Sequence, residues 1–118
     1  MTALSNDDSP VYIRLRGTIT AGILRGDYAS GDQLPSVRAL AAEHGANPLT
    51  VAKAYQSFQD DGYVEVRRGV GMFVLPGAAE RLRNAERASF VTTQWPRIRD
   101  HIELIGLDAA ELLERERA

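Results

Sequence analysis

The sequence predicts a mainly α-helical fold with one small β-hairpin, and three observations carry that expectation. Apolar residues recur at helical spacing in three successive segments, each opened by a capping residue. After Gly62 the period changes to alternation around a glycine-containing tip, the signature of a hairpin. The length of 118 residues sets the scale, enough for one domain and a short appendage.

The first helix is expected over residues 10–25. Ser9-Pro10 pairs a capping hydroxyl with a proline at the first helical position, where no amide is needed. Val11, Leu15, Ile19 and Ile23 then form one apolar face, with Tyr12 on the same side. Gly22 falls on that stripe, where a missing side chain admits a close neighbour, and Gly26 supplies the stop. Residues 27–35 hold Gly31-Asp32 and a proline and read as a connecting turn. Ser36 caps a second helix with Val37, Leu40 and Ala41 inward, ending at His44-Gly45. Asn47-Pro48 repeats the cap-and-proline device at once, and the third helix turns Val51, Ala54, Tyr55 and Phe58 inward. Helices joined by so short a connection should cross steeply, as in a helix-turn-helix. Tyr63-Val64-Glu65-Val66 and Met72-Phe73-Val74-Leu75 are the expected strands, with Arg67-Arg68-Gly69-Val70-Gly71 as the tip. Three helices followed by a hairpin make a winged helix-turn-helix.

Residues 77–118 differ in character. Leu82, Ala85, Ser89, Thr92 and Trp95 trace a weak helical face, and Ile98, Ile102 and Ile105 a stronger one. Pro96 is expected to kink or break the helix near Trp95, because it removes a backbone donor and crowds the preceding turn. Asp108-Ala-Ala-Glu111 has capping-box spacing and opens a last short helix presenting Leu112 and Leu113. The expected organisation is therefore a flexible N-terminus over 1–9, a winged helix-turn-helix domain over 10–76 and a helical arm over 77–118.

Composition narrows the chemistry. Hydrophobic residues make up 44% and charged ones 25%, the balance of a soluble globular chain. Without cysteine there is no disulfide framework, thiolate nucleophile or thiolate metal ligation. Two histidines, His44 and His101, do not make a metal site, and no cofactor is expected. No apolar stretch approaches a membrane span, and the N-terminus lacks a signal-peptide core, so a cytoplasmic protein with no membrane partner is expected. No carboxylate pair stands beside a recognisable nucleophile or phosphate loop, so an enzyme is not expected. The formal charge of −2 argues weakly against nucleic acid, but placement outweighs the sum. Residues 10–76 carry seven basic and six acidic side chains, and Arg38, Lys53, Arg67 and Arg68 fall in the second helix, the third helix and the hairpin tip.

Over residues 10–75 the sequence resembles the DNA-binding domain of the GntR family of bacterial transcription regulators. Gly31-Asp-Gln-Leu-Pro-Ser-Val-Arg-Ala-Leu-Ala is similar to its second-helix signature, and Asn47-Pro-Leu-Thr-Val-Ala-Lys-Ala-Tyr to its recognition helix. Asp61-Gly-Tyr-Val and Arg67-Arg-Gly-Val-Gly-Met-Phe-Val resemble its wing. The short tail with Leu104-Ile-Gly-Leu-Asp resembles the YtrA-type branch, whose tail serves mainly as a dimerisation arm. The resemblance implies a homodimeric regulator, a repressor in the first instance, on a near-palindromic operator in double-stranded DNA. It leaves room for a small-molecule effector of unidentified chemistry. A winged-helix protein adaptor without specific DNA binding is the alternative.

Particular residues follow from that implication. Ser36 and Arg38 open the second helix, where the family sets an arginine against DNA; an ion pair with Glu43 or Asp32 is the alternative for Arg38. Asn47, Leu49, Thr50 and Lys53 are the outward residues of the recognition helix's first turns, which read base edges or meet phosphates. Asn47 serves as cap, phosphate ligand or both, and Leu49 stands where the family usually has a polar residue. Arg67 and Arg68 place guanidinium groups at the wing, and Gly69 and Gly71 supply positive φ and a close backbone approach. Trp95, Ile98, Ile102, Ile105, Leu107, Leu112 and Leu113 form the candidate dimer surface, with packing against the chain's own winged domain as the alternative.

Overall fold

The computed structural model describes residues 9–117. Its elements are α1 (Pro10–Arg25), α2 (Val37–His44), α3 (Pro48–Asp60), β1 (Val64–Arg67), β2 (Gly71–Val74), α4 (Ala78–Ser89), a π-helical turn (Phe90–Gln94), α5 (Trp95–Leu104) and α6 (Ala109–Arg117). The chain divides between Arg83 and Asn84 into two compact units.

In the first unit each helix starts as its sequence dictates. The Ser9 hydroxyl accepts from the Tyr12 amide at 3.1 Å, and Gly26 closes α1 in the left-handed region at φ +89°. The buried stripe of α1 runs through Tyr12, Leu15, Ile19 and Ile23. Val11, expected inward, is 36% exposed because it falls at the stripe's edge while Tyr12 takes the inward position of the first turn. The close approach expected at Gly22 is made by Tyr28, whose ring carbons would lie 2.6 Å from a Cβ there. Phe58 of α3 is fully buried, with the Tyr63 ring 6.3 Å away and the Arg16 guanidinium stacked 4.7 Å over it.

β1 and β2 pair antiparallel with Val64 opposite Val74 and Arg67 opposite Gly71. The ladder thus extends one residue further toward the tip than alternation predicted. Arg67 and Gly71 belong to the strands, and the tip shrinks to Arg68-Gly69-Val70, closed by the Val70 amide on the Arg67 carbonyl at 2.9 Å. Residues 31–34, expected as a turn, instead lie along β2. The Gly31 amide donates to Val74 O and the Leu34 amide to Met72 O, both at 2.8 Å, and the Val74 amide donates to Asp32 O at 2.9 Å. The run escapes periodicity because a single buried leucine before Pro35 makes no pattern.

The first unit also takes the start of α4. Ala78 and Leu82 are each 1% exposed in the core, and Arg81 donates to Gly62 O at 3.0 Å while its guanidinium lies over the Tyr63 ring. Apart from Ser9, the expected flexible N-terminus lies outside the described residues.

The second unit shows how the chain meets the conflict expected at Pro96. The regular α-helix is interrupted just before Trp95, where the chain widens into the π turn, with the Trp95 amide bonded to Phe90 O. A proline ring collides with the carbonyl four residues back in a regular helix, and one inserted residue relieves that conflict. Asp108 caps α6, its carboxylate accepting from the Ala110 amide at 2.8 Å. No helix among the described residues is long and apolar enough to cross a membrane.

Candidate nucleic-acid interface

The helix-turn-helix is built on one glycine and one tyrosine. Gly45 turns the chain at φ +59°, its amide bonding back to α2. The Tyr55 hydroxyl then donates to Pro35 O at 2.7 Å, tying α3 to the entrance of α2. Burial raises the Tyr55 phenol well above its usual range, with the charges of Tyr28 and Glu43 adding to the effect, so the group stays a neutral donor.

With Val51, Ala54, Tyr55 and Phe58 buried, the opposite side of α3 exposes Leu49, Ala52, Lys53, Gln56 and Asp60 as one stripe. Leu49 is 73% exposed and Thr50 lies half-buried at the edge. Asn47, Leu49, Thr50 and Lys53 come together along an open groove of about 680 Å³ that Val11 also lines.

Both capping side chains use their acceptors for the fold. Ser36 Oγ accepts from the Ala39 amide at 3.0 Å and Asn47 Oδ1 from the Leu49 amide at 2.8 Å. That leaves the Ser36 hydroxyl proton and the Asn47 amide protons as donors, the polarity that a phosphate oxygen requires. For Asn47, capping and anion binding are therefore compatible uses of two different atoms.

The cations sort into two kinds. Arg38, Lys53 and Arg68 are exposed and, among the described residues, have no carboxylate within ion-pair distance. The alternative partners of Arg38 are otherwise placed: Glu43 Oε2 lies 3.7 Å from His44 Nε2, and Asp32 accepts from the Ala29 amide at 2.8 Å. Arg67 is engaged instead, its guanidinium 4.0 Å over the Phe73 ring and its Nε and Nη2 each 3.3 Å from Glu65 Oε2. Gly69 adopts φ +77° at the tip, as its role in the turn demands.

One contributor escaped sequence reasoning. Gln33, in the segment read as a turn, donates from Nε2 to Val70 O at 2.8 Å. Gln33, Ser36, Val70 and Gly71 line a second groove of about 280 Å³ that joins the start of α2 to the hairpin tip.

In the second unit the candidate dimer residues are uncovered. No residue of α5 or α6 is buried; Ile98, Ile105, Leu107 and Leu113 are exposed, and Trp95, Ile102 and Leu112 are half-buried. Ile102 and Leu107 meet at the corner between α5 and α6. Among the described residues no cluster of histidine and carboxylate side chains fits a metal ion.

Comparison with known proteins gives this arrangement its context. Residues 11–74 match the family model described as bacterial regulatory proteins, gntR family. The HTH-type transcriptional repressor YtrA of Bacillus subtilis is 38% identical over 74 residues, covering 63% of this chain and 57% of YtrA. The match spans 54% of the Bacillus subtilis regulator YhcF and 57% of YtrA, and only 18% of the longer regulator TauR of Rhodobacter capsulatus. A GntR family transcriptional regulator from Listeria monocytogenes superposes over 94% of this chain and 96% of its own, with TM-score 0.72 and 24% identity. The DNA-binding domain of AraR, solved in complex with operator ORX1, shares the fold over 63% of this chain and 89% of its own, with TM-score 0.54 and 24% identity. YtrA and the Listeria protein are transcription regulators. The free cations and donors of α2, α3 and the wing thus sit on a winged helix-turn-helix whose sequence matches from Val11 to Val74, and the chain belongs to the GntR family of bacterial regulatory proteins, with YtrA among its homologues.

Proposed function

We propose that this chain is a cytoplasmic homodimer that grips a near-palindromic operator in double-stranded DNA through paired winged domains and represses transcription there. The observation that carries the reading is the set of exposed cations Arg38, Lys53 and Arg68, one each from α2, α3 and the wing, without acidic partners among the described residues. Leu49 and Thr50 read base edges in the major groove, Leu49 by apolar contact. Ser36, Asn47, Lys53 and Arg68 meet phosphates, and Arg38 meets phosphate or guanine. Arg67 contributes charge from its stacked position on Phe73, and Gly69 and Gly71 let the wing backbone come close.

So few cations give modest affinity per copy, and joining two half-sites multiplies it. The uncovered Trp95, Ile98, Ile102, Ile105, Leu107, Leu112 and Leu113 of the arm supply a surface for two-fold pairing. Repression is supported by the relative YtrA, a transcriptional repressor.

Footprinting of genomic fragments, including the chain's own promoter region, at about 0.1 M salt tests this reading. Two protected half-sites are expected, with centres about 10 base pairs or a multiple apart, together with reduced transcription from that template. A protein that stays monomeric at micromolar concentration and prefers no fragment over competitor DNA overturns it.

A further inference from the structure

The hairpin tip that carries Arg68 has little of its own to hold it in place. Two strands of four residues make a marginal structure in isolation. The tip itself is closed by one backbone bond, from the Val70 amide to Arg67 O.

The α1–α2 connection supplies the rest. Residues 31–34 run beside β2 through the backbone bonds of Gly31, Asp32 and Leu34, which set Gln33 opposite Phe73. From that anchored position Gln33 reaches past the end of the ladder, and its Nε2 donates to Val70 O at 2.8 Å. Gly71 makes the reach possible. A Cβ at that position would stand 2.4 Å from Gln33 Nε2 and 3.3 Å from its Cδ, and φ there is +147°. The same connection continues through Pro35 into the Ser36 cap of α2, so one hydrogen-bonded strip links the tip to the start of the helix.

On this basis we infer that Gln33 is a positioning residue for DNA binding: through the Val70 carbonyl it fixes the tip so that the Arg68 guanidinium meets a phosphate. The inference rests on the DNA-binding reading above. It also separates two roles that a polar residue beside DNA can have. A neutral side chain that touches DNA directly adds affinity without releasing a counterion. A neutral side chain that places an arginine changes the number of phosphates neutralised, and so changes the salt dependence.

The test uses the full chain, a fluorescein-labelled mixed-sequence duplex and anisotropy titrations across a series of salt concentrations. Phosphate contacts do not depend on base sequence, so the operator need not be known. Arg68→Ala is expected to weaken binding about tenfold and to lower the slope of log affinity against log salt by about 1. Gln33→Ala removes no charge, yet it should lower the slope by most of the same amount and weaken binding several-fold. The double variant should bind no more weakly than Arg68→Ala alone. Thermal melting of Gln33→Ala close to that of the parent checks that the fold is intact.

A Gln33→Ala variant that binds more weakly with an unchanged slope, and whose effect adds to that of Arg68→Ala, overturns the inference in favour of direct contact. A Gln33→Ala variant that binds like the parent while Arg68→Ala is impaired overturns it and leaves the wing as a phosphate contact. If Arg68→Ala itself alters neither affinity nor slope, the role of the wing and the inference fall together.

Discussion

The two units of this chain handle their apolar residues in opposite ways. In the first, Leu15, Val51, Ala54 and Phe58 have no exposed surface, and strands, helices and connecting segments all contribute to one closed core. In the second, α5 and α6 bury nothing, and Leu104 and Leu113 remain 83% and 67% exposed. The first therefore has the means to be stable at any concentration. A pair of short helices without a core is marginal in water, so the stability of the second is coupled to whatever covers it. The larger unit closes a core of its own, and the smaller one leaves its apolar side chains uncovered.

The sharpest way to break that contrast is to empty the closed core. Phe58→Ala deletes a fully buried ring and strips Arg16 of its stacking partner. It should cost about 3–5 kcal/mol in urea denaturation, enough to unfold much of the winged domain. A loss under 1 kcal/mol would mean that the core is less closed than its burial indicates. The matching change in the arm is Ile102→Asp. It should leave the unfolding of the winged domain nearly unchanged and weaken self-association at least about tenfold, about 1.4 kcal/mol, by sedimentation equilibrium. Equal damage to both properties would erase the distinction between the units.

The smallest expected effect concerns Tyr55. Tyr55→Phe removes the bond to Pro35 O and should cost about 1 kcal/mol, with the helix-turn-helix loosened rather than lost. A pH dependence accompanies it. Folding raises the Tyr55 phenol above its ordinary 10.0, chiefly through burial, so the unfolded chain gives up this proton first. The associated stability is fully present below about pH 9 and declines as the pH rises beyond 10. Tyr55→Phe should flatten that decline without abolishing it, since burial also raises Tyr28. Urea midpoints between pH 7 and 11 provide the check, and an unchanged alkaline slope in the variant would assign the decline elsewhere.

Legibility in the sequence followed the reach of the interactions. The caps Ser9, Ser36 and Asn47 were legible because each acts within three residues of itself. The inward faces of α1, α2 and α3 were legible because periodicity is a property of one element. Gln33 was not, because its partner lies 37 positions away and the glycine that admits it gives no clue to who arrives. Arg67 and Arg68 are adjacent and chemically identical in the sequence. Strand register and Phe73 separate them, setting one into a stack and leaving the other at the tip. Pro96 signals a conflict with regular helix, but the proline alone does not say that the chain answers it with a π turn over Phe90–Gln94.

That remedy carries a geometric corollary. Each residue of an α-helix advances the side-chain direction by about 100°, so the extra residue taken up between Phe90 and Gln94 dials every later side chain by about that angle relative to Ala85 and Ser89. The azimuth of Ile98, Ile102 and Ile105 is thus set by one residue's worth of slack upstream. Deleting a single residue from that stretch would swing the isoleucines roughly a quarter-turn around the rod without altering their chemistry.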